Sequence, residues 1–109
     1  MNPEIRKRRL AVQDIIEQSD YIAQDSINAA DRFIQAAEEA FHLLAGNPRA
    51  GALRAYNAPA LENIRMWPIR GFEKHLIFYR EIPGGIEVIR VLYAARDIPS
   101  LFSKRSNRS

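Results

Sequence analysis

The sequence predicts an α+β fold: an N-terminal antiparallel helical hairpin packed on one face of a three- to four-stranded antiparallel sheet. Three observations carry this prediction. Two amphipathic helical patterns follow one another in the first half, separated by only a few residues. Two runs rich in β-branched and aromatic residues flank Pro83-Gly84-Gly85 in the second half. A third, shorter run of the same kind precedes them and ends at Arg70-Gly71.

Taken in order, residues 5–9 are short and basic, which suits an edge strand. From Ala11 the period becomes helical. Val12, Ile15, Ile16, Ser19, Ile22 and Ala23 form the inward stripe, with Asp14, Glu17, Asp20 and Gln24 on the opposite face. Asp25 or Ser26 is placed to cap a second helix, whose stripe is Ala30, Phe33, Ile34, Ala37, Phe41 and Leu44. Gly46-Asn47-Pro48 ends it, and the alanines at 29, 30, 36, 37 and 40 allow close helix approach. Residues 47–61, with Pro48, Gly51 and Pro59, read as a loop crossing to the sheet. A strand is expected over 64–70, with an edge position or a bulge at Pro68 because proline cannot donate to a ladder. Strands follow over 74–82 and 86–95, then a helical turn over 98–102. Residues 1–103 are thus read as one domain, and 104–109 as a basic tail expected to be disordered. The strands are apolar at successive positions, more than a sheet with one buried face requires. A partner segment, or the chain's own Leu101 and Phe102, is expected to cover the second face.

Composition narrows the chemistry. A chain of 109 residues with 47% hydrophobic and 27% charged residues supports a single globular core. There is no cysteine, so disulfides, thiolate metal sites and cysteine nucleophiles are excluded. His42 and His75 are the only imidazoles, and neither has metal-ligand spacing, so no metal or cofactor is expected. The charged N-terminus is followed by no long apolar segment, which argues against a signal peptide or membrane anchor and for a cytoplasmic protein.

The net charge of +3 hides an asymmetry. Residues 10–48 hold seven acids and a single base, Arg32. Residues 49–103 hold eight bases and five acids, and both termini are basic. A basic second half suits nucleic acid or an acidic partner.

Arg70-Gly-Phe, then Ile77-x-Tyr79-Arg80, then Ile86-x-Val-Ile-Arg90-Val-Leu-Tyr93-x-x-Arg96-Asp97 resembles the C-terminal half of the ParE/RelE superfamily of bacterial toxins. In the helical half, Ala11-x-x-Asp14-Ile, Tyr21-Ile-Ala, Ala29-Ala-x-x-Phe33-Ile and Leu44-Ala-x-x-Pro48-x-x-Gly51 extend the resemblance over residues 10–102. That superfamily contains ribosome-dependent messenger RNA nucleases of the RelE type and inhibitors of DNA gyrase of the ParE type. The RelE catalytic positions are mostly unfilled here. Its lysines fall near Met66 and Pro68, its arginine after the glycine-aromatic turn falls at Glu73, and its C-terminal tyrosine falls at Phe102. Only Arg96 matches, and the C-terminal His-Tyr pair of the YoeB-like branch is replaced by Asn-Arg-Ser. An acid at Glu73 repels the phosphate that an arginine would clamp.

The resemblance therefore implies a ParE-like toxin of a type II toxin–antitoxin module, acting by binding rather than catalysis, without membrane association or sequence-specific nucleic-acid binding of its own. Its implied partners are DNA gyrase and a ParD-like antitoxin. Trp67, Arg70, Phe72, Tyr79 and Arg80 are candidates for antitoxin contact, and Arg96, Leu101 and Phe102 for target contact. The alternatives are a RelE-like endoribonuclease improvising with Arg70, Glu73, His75, Arg90, Tyr93 and Arg96, or a degenerate, non-toxic member. A three-residue turn would set His75 opposite Tyr93, whereas a Gly84-Gly85 turn would pair them differently.

Overall fold

The computed structural model describes residues 2–54 and 62–94. Its elements, in order, are β1 (Glu4–Lys7), α1 (Arg9–Ala23), α2 (Ile27–Gly46), β2 (Ala52–Leu53), β3 (Arg65–Ile69), β4 (Phe72–Ile82) and β5 (Gly85–Tyr93). The α+β class and the helical hairpin follow the sequence reading, but the sheet has five strands, ordered β1-β5-β4-β3-β2. It is mixed: β1 runs parallel to β5, because two helices intervene before the chain returns, while the other pairs are antiparallel. The fifth strand, β2, lies inside the expected loop and pairs only with Arg65 and Met66 of β3.

Short turns fix the register. Arg70-Gly71 joins β3 to β4 and Pro83-Gly84 joins β4 to β5, with Gly71 at φ 86° and Gly84 at φ 85°. Both angles lie where a Cβ is disfavoured, so glycine at each turn is a backbone requirement. The expected irregularity at Pro68 is present as a register shift between Pro68 and Ile69. At that point β3 has passed the end of β2 and forms the outer strand, where a missing N–H costs no ladder bond. A second shift lies between Phe78 and Tyr79, which pair with Arg90 and Val88. Ile89 is therefore an extra residue in β5, a β-bulge.

Along β4, alternate residues serve two cores. Ile77 and Tyr79 face the helices, joining Phe33, Phe41 and Leu44 of α2, Ala11 of α1, and Ile86, Val88 and Val91 of β5. Leu76 and Phe78 face the other way, toward Ile64, Ile89 and Leu92. Ile64, Phe78, Ile89 and Leu92 are at most 4% exposed in the single chain. No partner is needed to bury these four; the other cover expected for this face, Leu101 and Phe102, lies outside the described residues.

The helices show one agreement and two corrections. Ser26 Oγ accepts the Ala29 N–H at 3.1 Å, the N-cap expected for α2, which contributes about 1 kcal/mol. In α1 the inward face is rotated from the predicted stripe. Val12 and Ile16 are exposed, whereas Asp14, assigned to the polar face, is buried. On α2, Ile34 is also more exposed than its place in the stripe implied.

Candidate functional surface

Asp14 is buried because the sheet supplies it with three donors. Its carboxylate accepts Arg90 Nε at 2.7 Å, Arg90 Nη2 at 2.8 Å and the Val91 N–H at 3.0 Å. One turn further along α1, Gln18 Nε2 donates to the Val91 carbonyl at 2.7 Å. Strand β1 stops opposite Val88, so beyond that point α1 occupies the flank of β5. Asp14 and Gln18 there satisfy both main-chain groups of Val91, as a neighbouring strand would.

The same glutamine leads to His75. With Gln18 Nε2 committed to a carbonyl, its Oε1 must accept from His75 Nδ1, 2.6 Å away, which fixes the proton on Nδ1. His75 sits in an aromatic cluster, with ring centroids 4.8 Å from Phe33, 5.2 Å from Tyr93 and 6.3 Å from Phe72. Burial pushes its pKa below the usual 6.5, because the cluster solvates the cation poorly. His75 does pair with Tyr93, but by neither route foreseen: a two-residue Pro83-Gly84 turn combines with the Ile89 bulge.

Of the residues of the nuclease alternative, Arg90 and Glu73 are committed to structural bonds, and Arg96 lies outside the described residues. His75 and Tyr93 adjoin, yet the buried Arg90 is engaged by Asp14 and cannot clamp a phosphate in this arrangement. Glu73 Oε2 accepts the Gly71 N–H at 2.7 Å and so closes the β3–β4 turn. Arg70 is exposed in that turn. Among the described residues, no group of three or more His, Cys, Asp or Glu is placed to hold a metal ion.

The antitoxin-contact candidates divide between the two faces. Trp67 and Phe72 are half-buried against the helix-side core, Phe72 meeting Phe33 edge-on at 5.3 Å. Arg80 follows Tyr79 in β4 and so points to the opposite face, 3.8 Å from Glu87. Tyr79 is a correction. It is fully buried, its hydroxyl donating to the Pro48 carbonyl at 2.9 Å and accepting the Gly51 N–H at 2.8 Å. It anchors the segment after α2 and presents no surface to a partner. Burial raises its pKa above 10, keeping the hydroxyl a proton donor. Arg65, which the sequence reading did not single out, supports the same segment by donating to the carbonyls of Arg49 and Gly51. No local sequence signal marks that role. The target-contact candidates Arg96, Leu101 and Phe102, the expected turn over 98–102 and the basic tail lie outside the described residues.

A family model described as the ParE toxin of the type II toxin–antitoxin system parDE matches residues 5–98. No curated protein matches the chain. A solved structure described as the chromosomal ParDE toxin–antitoxin system from P. aeruginosa shares the fold, with a TM-score of 0.63 at 19% identity. The match covers 84% of this chain and 96% of that one.

Proposed function

We propose that this chain, which belongs to the ParE toxin family of type II toxin–antitoxin systems, binds and inhibits DNA gyrase and is neutralised by a ParD-like antitoxin. The observation that carries this reading is the family match over residues 5–98, nearly the whole chain. The site geometry supports action by binding. Two of the groups that would have to improvise a nuclease are tied into the fold, Arg90 to Asp14 and Glu73 to Gly71. The proposed place of action is the cytoplasm, where gyrase works; no described helix is long and apolar enough to cross a membrane.

For the antitoxin, the basic second half favours an acidic, apolar segment. Arg70 is the cleanest probe of that contact, because it is exposed and lies in a turn. Arg80 also holds Glu87, so reversing its charge disturbs the sheet as well.

The test uses purified toxin with gyrase and plasmid DNA. Inhibited supercoiling or accumulated cleaved DNA, reversed by the antitoxin, is the expected result. Gyrase left untouched at stoichiometric excess would remove the gyrase assignment. Codon-specific cuts in messenger RNA on translating ribosomes would replace it with the nuclease reading.

A further inference from the structure

We infer that the tip of the α1–α2 hairpin, carrying Tyr21 and Ile27, is a docking site for a protein surface with an apolar pocket rimmed by lysine and arginine. Tyr21 is 72% exposed and Ile27 71%, whereas the other exposed large hydrophobic residues lie between 39% and 57%. The two most exposed therefore share one end of the hairpin, on either side of the connection 24–26. Neither packs with either apolar core. The Tyr21 side chain has no ring or hydrogen-bond partner among the described residues. Helix propensity does not explain them, since tyrosine and isoleucine are middling helix formers.

The turn that presents them is well held. The Gln24 N–H donates to the Tyr21 carbonyl, those of Asp25 and Ser26 donate to the Ile22 carbonyl, and Ser26 caps α2. A rigid aromatic-aliphatic pair is a suitable anchor, because little side-chain or loop entropy is lost when it is buried.

Charge selects the occupant. From residue 10 to residue 31 the chain has five acids and no lysine or arginine. Asp14 is committed to Arg90, but Glu17, Asp20, Asp25 and Asp31 are exposed and form no ion pair among the described residues. Such a collar repels nucleic acid and anionic lipid, and it repels the acidic segment expected of the antitoxin. It complements a cationic protein surface. An enzyme that grips DNA carries clustered lysine and arginine, so the proposed target fits this chemistry. Only that choice of partner rests on the gyrase reading.

The test compares the full-length chain with Tyr21→Ser/Ile27→Ser and, separately, Asp20→Lys, which leaves both anchors in place. Growth arrest on induction, thermal midpoint and antitoxin affinity by calorimetry are measured for each. The expected result is unchanged folding and antitoxin affinity with at least about a tenfold loss of toxic potency, the loss of an interface anchor. Full toxicity in both variants overturns the inference. So does a parallel loss of antitoxin affinity, which would assign the tip to the antitoxin, and so does a wild-type chain that arrests no growth. Wild-type arrest without any effect on purified gyrase removes the gyrase assignment alone, since growth still reports on the tip.

Discussion

Replacing Asp14 by alanine leaves the Arg90 guanidinium inside the protein without its counter-charge. The Arg90 and Asp14 side chains are 5% and 9% exposed, so water cannot readily take over the lost bonds. Breaking one side of a buried pair costs about 3–5 kcal/mol. The Val91 N–H also loses its acceptor, although neighbouring deletions do not add simply. A domain of this size has a total stability of roughly 5–15 kcal/mol, so the single variant forfeits a large share. At roughly 4–8 °C per kcal/mol, its thermal midpoint should fall by more than about 12 °C. Arg90→Met alone should also destabilise, because the carboxylate is then the buried, unpaired partner. The combination Asp14→Ala/Arg90→Met removes both charges and should recover at least about 2 kcal/mol relative to the sum of the single changes. Urea unfolding of the four proteins measures this directly. Single effects below about 1 kcal/mol, or strict additivity, would refute the reasoning that α1 is fastened to β5 through this pair.

Four further expectations follow from the same geometry. Gly85→Ala places a Cβ on the Glu4 backbone, so β1 should detach; hydrogen exchange at Glu4 and Arg8, whose N–H groups bond to Gly84 and Val88, should lose protection while β4 retains it. Tyr79→Phe removes two hydrogen bonds from the segment after α2 and should cost about 1–3 kcal/mol, read by urea unfolding, with no change in antitoxin affinity once folded. His75 has a folded pKa below its unfolded value near 6.5, so the unfolded chain binds the proton more readily; stability should fall as pH drops below 6.5, and His75→Gln should remove that part of the pH dependence. Arg70→Glu should weaken antitoxin binding more at low than at high salt, and titration calorimetry at two ionic strengths would show an unchanged Kd at both if Arg70 lies outside that interface.

What was legible in the sequence was whatever local physics decides. Ser26 as a cap, the helix end at Gly46, a hairpin turn within Pro83-Gly84-Gly85 (though not its type) and the irregularity at Pro68 each depend on a residue's own backbone preference. Features that depend on distant partners were hidden. Asp14 looked like a surface acid because the residue that buries it, Arg90, is 76 positions away. Strand β2 is two residues in a loop of prolines and glycine, and only its pairing with Arg65 and Met66 makes it a strand. In the run Leu76-Ile77-Phe78-Tyr79 every residue is apolar or aromatic. Alternation was therefore masked, and Tyr79 was placed on a surface it does not reach.

The bulge at Ile89 shows why the candidate site was harder to read than the fold. The ladder begins at Ile82 opposite Gly85, and continued without interruption it would set Ile77 against Arg90 and His75 against Leu92. One extra residue moves Val91 to the position opposite Ile77 and Tyr93 to that opposite His75. In this register the Arg90 guanidinium is bound and neutralised by Asp14 of α1. No glycine or proline marks the insertion, since Val88-Ile89-Arg90-Val91-Leu92 is an ordinary strand sequence. The bulge is stabilised instead by what α1 offers: a carboxylate for Arg90 and the Val91 N–H, and an amide for the Val91 carbonyl. The strand's register and the helix's buried face thus determine each other. Arg90 on β5 thereby serves not as a phosphate ligand but as the fastening between helix and sheet, which leaves recognition to exposed side chains elsewhere on the molecule.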